Sequence, residues 1–231
     1  MRDLSQFNGC PAPMPVSLEG QFVSAAPFDR AAHLHALWRA LGGLAANELL
    51  KYFPNDPFSG AEAFGDWIEG MGKSYGWVTL VFIENATQEL VGMATYMRPD
   101  PKNGVVEVGS VAHGAKMQRS ALATEAHYLM ARHVFDDLGY RRYEWKCHND
   151  NEPSKASALR YGFVFEGVFR QHMISKGRNR DTAWFSIIDA DWPRTRAAFE
   201  AWLSPDNFDE DGLQKRRLDA IRADLAVGEG A

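Results

Sequence analysis

Apolar residues recur along the chain with two distinct periods. Gln21 to Pro27 reads as a short strand. Asp29 stands where a helix cap would, ahead of Leu34, Leu37, Trp38 and Leu41 at three- and four-residue spacing, and Gly42-Gly43 closes that helix. Ala61 to Met71 repeats the pattern through Phe64, Trp67 and Ile68 and stops near Gly72. Trp77 to Ile83 and Leu90 to Tyr96, around the polar turn Asn85 to Glu89, predict a hairpin. A loop from Arg98 to Gly104 leads into a third strand, Val105 to Val111.

From Ala121 to Leu138, the residues Leu122, Ala126, Leu129, Met130, Val134 and Leu138 define one helical face, with Gly139 as the stop. Arg142 to Cys147 then reads as a strand. Asn151 to Tyr161 reads as a helix with Pro153 in its first turn and Gly162 just past its end. Phe163 to Ile174 and Thr182 to Ile188 predict a second hairpin across the turn Lys176 to Asp181. Helices are expected at Pro193 to Leu203 and at Gly212 to Val227, the latter with Leu213, Leu218, Ile221 and Leu225 as its stripe. This order implies an α/β fold: a mixed, mostly antiparallel sheet flanked by helices, with one βαβ crossover. The expected organisation is an N-terminal arm (residues 1–20, rich in proline), a central domain (21–203) and a C-terminal helical extension (204–231). The arm is expected to lie over the surface or over a neighbouring subunit, as in a homodimer.

Composition narrows the function classes. A chain of 231 residues, 45% hydrophobic and 24% charged, can bury a sizeable core. Its net charge of −5 provides no general attraction to nucleic acid or to anionic membranes, so neither is expected as a partner. Cys10 and Cys147 are far apart and no apolar leader is visible, which points to reduced thiols and a cytoplasmic address. No metal is expected, since the cysteines and histidines lack ligand spacing.

The chemistry concentrates between Val105 and Phe163. A helix that starts just after a strand presents free backbone N–H groups to an anion in the gap. The stretch Lys116-Met117-Gln118-Arg119-Ser120-Ala121-Leu122-Ala123-Thr124-Glu125-Ala126 adds two cations and small side chains, so a diphosphate can approach closely. Lys116 and Arg119 also fit as solvated loop cations. Together with Asn151-Glu152-Pro153-Ser154, Gly162-Phe163 and Glu166-Gly167, this stretch resembles the GNAT acetyltransferases of the RimJ/RimL-like branch, over roughly residues 21–192.

The resemblance implies a sheet with one splayed strand pair and acetyl-CoA as co-substrate. It also implies transfer of the acetyl group to a primary amine, on a protein N-terminus or a small molecule, by direct attack in a ternary complex. Gln118, Arg119, Ser120, Ala121, Ala123 and Thr124 would then hold the diphosphate, Asn151 the pantetheine arm, and backbone near Gly109 to Val111 the reacting carbonyl. In register with Thr124-Glu125-Ala126, the family's loop glycines fall on Arg119, Ala121 and Ala123, so the loop is expected to curve with ordinary backbone angles.

Glu107, inside an apolar strand, is a candidate base, because an unpartnered buried carboxylate holds its proton more tightly. A carboxylate tied to a neighbouring arginine is the alternative. The family's usual acid, a Tyr, is replaced by Ala158, and Tyr161 lies about 300° around the helix from it. Ser154 is the candidate near the thioester sulfur, or else a first-turn serine satisfying a backbone donor. Asn151 would look the same as a plain cap. Arg170, His172 and Arg178 are candidates for binding an anionic group on the acceptor, or a solvated basic turn. By the same resemblance Glu48, Tyr52, Phe53 and Trp67 belong to the segment that shapes the opposite wall, with Phe53 and Trp67 also fitting as core residues. A peptide α-amine is neutral for roughly a tenth of molecules at pH 7 and a lysine amine far less often, so a weak base favours the α-amine. A non-catalytic acyl-CoA sensor of the same fold is the competing reading, and an RNA-associated protein using Lys176 to Arg180 a third.

Overall fold

The computed structural model describes residues 3–228. Met1, Arg2 and residues 229–231, at the tips of the expected arm and extension, lie outside the described residues.

The N-terminal segment lies on its own chain. The backbone N–H of Cys10 donates to Pro101 O, Arg141 covers the Phe7 ring, and β1 (Leu18–Glu19) pairs antiparallel with β2 (Val23–Pro27). Asp29 caps α1 (Arg30–Ala40) by accepting the Ala32 N–H at 2.8 Å, a contact worth about 1 kcal/mol. A 3-10 turn and a short α2 (Ala46–Leu49) follow Gly42, elements the sequence pattern did not reveal. The next helix, α3 (Ala61–Tyr75), runs a turn beyond the expected Met71, because Gly72 stays helical and the left-handed residue that closes it is Gly76.

Strands β3 (Val78–Glu84), β4 (Leu90–Asp100) and β5 (Val105–His113) form the central meander. The following helix does not run unbroken to Leu138. α4 (Ala121–Arg132) passes into a π turn over His133–Asp137, where the Leu138 N–H reaches back five residues to His133 O. After it come β6 (Arg142–His148), α5 (Glu152–Arg160), β7 (Val164–Ser175) and β8 (Arg178–Ile188). The expected turn Lys176 to Asp181 shrinks to two residues. Lys176 (φ 50°) and Gly177 (φ 71°) both adopt the left-handed conformation that matches strand twist, so β8 starts four residues early.

α6 (Trp192–Leu203) and α7 (Leu218–Gly228) complete the described chain. The last helix starts six residues later than the pattern from Gly212 implied. Leu213 is 64% exposed, whereas Leu218 and Ile221 are buried in the main core.

Among the described residues eight strands form one mixed sheet in the order β1-β2-β3-β4-β5-β6-β8-β7, antiparallel except for β5 and β6. Strand alternation feeds two cores. Leu80 and Phe82 face the larger one, with α4, α6 and α7, and Val81 faces a smaller one built on α1 and α3. Glu125 of α4 ties the first strands down, its carboxylate accepting the backbone N–H groups of Gln21, Phe22 and Val23 at 2.6–2.9 Å.

Candidate active site

The parallel strands β5 and β6 pair only from Val105 to Val108 against Arg142 to Trp145; past Val108 they part. The cause is local. Met93 opposes Ala112 and Thr95 opposes Gly109, so β5 carries one extra residue against β4, and Ser110 absorbs it with a φ of 49°. Such a bulge twists its strand away from the neighbour. Gly109 lies within it and is needed for close packing, not for a positive φ: a Cβ there would run into Met97 Sδ. A cavity of about 150 Å³ opens in the gap. Glu107, Gly109 and Val111 line one side, and Trp145, Cys147, Asn151 and Ser154 another. Tyr52, Phe53 and Trp67 provide the opposite wall, with Met173 and Arg180 over it from the β7–β8 hairpin.

At the far end of β5 the loop turns into α4. Ser120 is the N-cap residue, yet its hydroxyl donates to Met117 O at 2.7 Å, so the first-turn N–H groups after Ala121 receive no side-chain cap. The ordinary backbone angles expected for this loop from its missing glycines are not what it adopts. Arg119 itself takes the left-handed conformation, φ 57°, at a position where the family places glycine. Arg119 has no ion pair among the described residues, whereas Lys116 is bound to Glu89 and lies 4.0 Å from Glu84. Gln118 donates to His113 O at 3.1 Å and steadies the loop. Thr124 faces inward, completely buried, where its hydroxyl accepts from Arg160. Its side chain therefore braces α5 and is not presented to an anion. The uncapped amides, the small side chains of Ala121 and Ala123 and the unpaired Arg119 fit a diphosphate.

Glu107 is 3% exposed and is tied to a neighbouring arginine, as its alternative reading expects. Its Oε2 lies 2.6 Å from Arg98 Nη1 and 3.1 Å from Lys146 Nζ. Lys146 also reaches Glu144 at 2.7 Å, Glu144 accepts from Arg142, and Arg142 pairs with Glu166. Three cations and three carboxylates thus alternate along one line. Register explains it, because Glu107 and Glu144 are opposed on parallel strands and Lys146, two residues on, shares their face. Glu107 Oε1 makes no hydrogen bond among the described residues and would approach a Cβ at Gly109 to 3.3 Å, which places it on the side of the strand gap.

Asn151 caps α5 by accepting the Ser154 N–H at 3.2 Å. Ser154 Oγ accepts the Trp145 indole N–H at 2.9 Å, which leaves the hydroxyl proton to be donated elsewhere. Burial raises the pKa of the Cys147 thiol, opposed by the neighbouring Ser154 hydroxyl, so the thiol stays neutral. Burial likewise pushes Tyr161 up to about 12, and its ring packs on His127 away from the cavity.

A model of the acetyltransferase (GNAT) domain matches residues 26–164. The chain belongs to this family. It is similar in structure to a GCN5-related N-acetyltransferase from Brucella melitensis, with a TM-score of 0.89 and 41% identity over 95% of this chain and all of that one. A probable GNAT-family acetyltransferase from Chromobacterium violaceum aligns with a TM-score of 0.76 and 33% identity, over 84% of this chain and 96% of that one. In sequence it resembles the ribosomal-protein-serine acetyltransferase of Escherichia coli (strain K12), 29% identical over 99 residues, which are 43% of this chain and about half (53%) of that enzyme.

Within this GNAT fold, Glu107, Gly109, Val111, Asn151 and Ser154 come together around the cavity, with the Arg119 loop at its own place beyond β5. Three expected acceptor contacts do not join them. Arg170 and Arg178 are exposed outside the cavity lining, and His172 is turned onto Thr182 Oγ1 and the Phe169 and Trp184 rings. The bulge in β7 at Gln171 (φ 49°) is responsible, since it shifts the register so that Met173 and Arg180 oppose each other and face inward. Arg180 was missed as a site residue. Its alternation with Thr182 and Trp184 on β8 would have located it, had the turn been read as two residues. Glu48 stays on the surface with Lys51.

Proposed function

We propose that this GNAT chain transfers the acetyl group of acetyl-CoA to a primary amine by direct attack in a ternary complex. The observation that carries the reading is the parting of β5 and β6 past Val108 together with the uncapped start of the helix that follows β5, a combination that supports an anionic thioester carrier as ligand. Acetyl-CoA supplies the acyl carbon and the leaving thiolate: the N–C bond forms, the C–S bond breaks, the amine gives up a proton and sulfur gains one. First-turn amides from Ala121 and the Arg119 guanidinium hold the diphosphate. Asn151 lies where the pantetheine arm would pass.

Backbone N–H groups near Gly109 to Val111 face the charge that develops on the carbonyl oxygen. Ser154, with its oxygen already engaged by Trp145, donates its hydroxyl proton toward the sulfur. Glu107 takes the amine proton through a water held on Oε1, since Oε2 is occupied by Arg98 and Lys146. The neutral Cys147 supports direct attack over an acyl-cysteine route.

The test is release of free coenzyme A thiol over a panel of primary amines, run beside calorimetry with acetyl-CoA. Glu107→Gln should lower kcat by about 10²- to 10⁴-fold, the range of a lost proton acceptor, with acetyl-CoA affinity retained. Binding without turnover on any amine would leave a sensor module, and absence of binding would remove the reading altogether.

A further inference from the structure

We infer that the acceptor amine also carries a carboxylate, and that Arg180 is the side chain that receives it. This rests on the transferase reading and names the substrate class of the same cavity.

The argument begins with charge. Along the line from Arg98 through Glu107, Lys146, Glu144 and Arg142 to Glu166, every cation has a carboxylate neighbour and the signs cancel. Arg180 lines the cavity and stands outside that line, with no carboxylate within ion-pair distance among the described residues. One positive charge is therefore left facing the space where the acceptor must lie.

Hydrogen bonding points the same way. Nη1 of Arg180 donates to Tyr52 O at 3.4 Å, which anchors the guanidinium against the opposite wall. Nε is buried and has no partner, and Nη2 makes no hydrogen bond among the described residues. Nε–H and the adjacent Nη2–H form one edge of the planar guanidinium, the edge that binds a carboxylate through two parallel hydrogen bonds. A buried donor without an acceptor is costly, and a ligand oxygen relieves the cost. Burial also lowers the pKa of Arg180, an effect that Cys147 and Glu107 oppose, and a bound anion would restore its preference for charge.

Geometry completes the case. Lys176 Nζ donates to Lys51 O at 2.9 Å, so the β7–β8 hairpin is fastened over the 50–54 segment and Arg180 is held in the roof of the cavity. Glu107, which serves the amine, lines the same cavity as Arg180. An acceptor with an amine at one end and a carboxylate at the other matches both.

The experiment compares amino acids and short peptides with their carboxamide counterparts, and with aminoalkyl phosphates, as acceptors in the thiol-release assay. The wild type should prefer each carboxylate over its amide by about tenfold to a hundredfold in kcat/KM, mostly through KM. Arg180→Gln should collapse that ratio, and Arg180→Lys, which keeps the charge but loses the fork, should restore part of it. Calorimetry of the same acids against the protein saturated with coenzyme A reads Arg180 without turnover, and thermal melts confirm that the variants fold. Turnover or binding that ignores the carboxylate, a preference for phosphate, or a ratio unchanged in Arg180→Gln would each overturn the inference while leaving the transferase reading intact. Failure of every amine together with normal binding of acids would overturn the transferase reading alone.

Discussion

Acidification should destabilise the fold through buried His127 and half-buried His113, where β5 hands over to the loop before α4. His113 and His127 meet through Nε2 atoms 3.2 Å apart, and His127 Nδ1 is buried without a partner. An orphaned N–H would cost more than a bare lone pair, so His127 donates from Nε2 and His113 accepts. Burial lowers His113 to about 4 and moves His127 the same way, the latter also through the charges of His113 and Arg160. The sign follows from linkage. With a folded pKa below the unfolded value of about 6.5, the unfolded chain binds more protons, so the penalty is absent above pH 6.5 and grows as pH falls towards 4. For His113 alone the loss is about 0.8 kcal/mol at pH 6 and about 2 kcal/mol at pH 5. Because its ring is partly accessible, water screening makes these upper figures for that residue, and His127 adds in the same direction. Urea unfolding of wild type and of the double variant His113→Gln/His127→Phe at pH 7.5 and pH 5 isolates the term, since the other titrating groups are common to both. The wild type should lose about 2 kcal/mol more between the two pH values. Equal losses would show that neither ring resists protonation and would refute the buried pair.

Two further outcomes concern the loop before α4 and the anchor of the first strands. Arg119→Gly removes a left-handed non-glycine residue, so stability should hold or rise by up to about 1 kcal/mol while acetyl-CoA affinity falls about tenfold; thermal melts and calorimetry read the two apart. Glu125→Ala strips the acceptor from three backbone N–H groups and should cost about 3–5 kcal/mol, a fall of about 10 °C in the melting temperature.

Much of this was visible in the sequence because it depends on neighbours a few residues away. The Asp29 cap, the Asn151 cap of α5 and the order of strands and helices are local in that sense. What escaped was set by distant partners or by backbone angles. Glu107 finds Lys146 only because a crossover lays β6 beside β5 in one particular register. Arg119 carries a positive φ that no residue type announces, and the same holds for Ser110 and Gln171. The C-terminal helix was read too early because Leu213 sits at the right spacing ahead of Leu218, yet stays in solvent beside the bridge from Phe208 to Gln214.

Six residues other than glycine have a positive φ among the described residues, and Ser110, Arg119 and Gln171 are the ones in the β5 bulge, the loop before α4 and the β7 bulge; each costs about 1 kcal/mol or more. Ser110 sits in the bulge where the strands part, Arg119 in the loop ahead of α4, and Gln171 in the bulge that sets Met173 opposite Arg180. Stability alone would favour glycine at each. Arg119 is the informative case, because glycine there would cost the curvature nothing and would remove a loop cation that has no ion pair among the described residues. The strain is understandable if that charge binds a ligand, and Arg119→Gly measures the exchange directly, as stability gained against affinity lost.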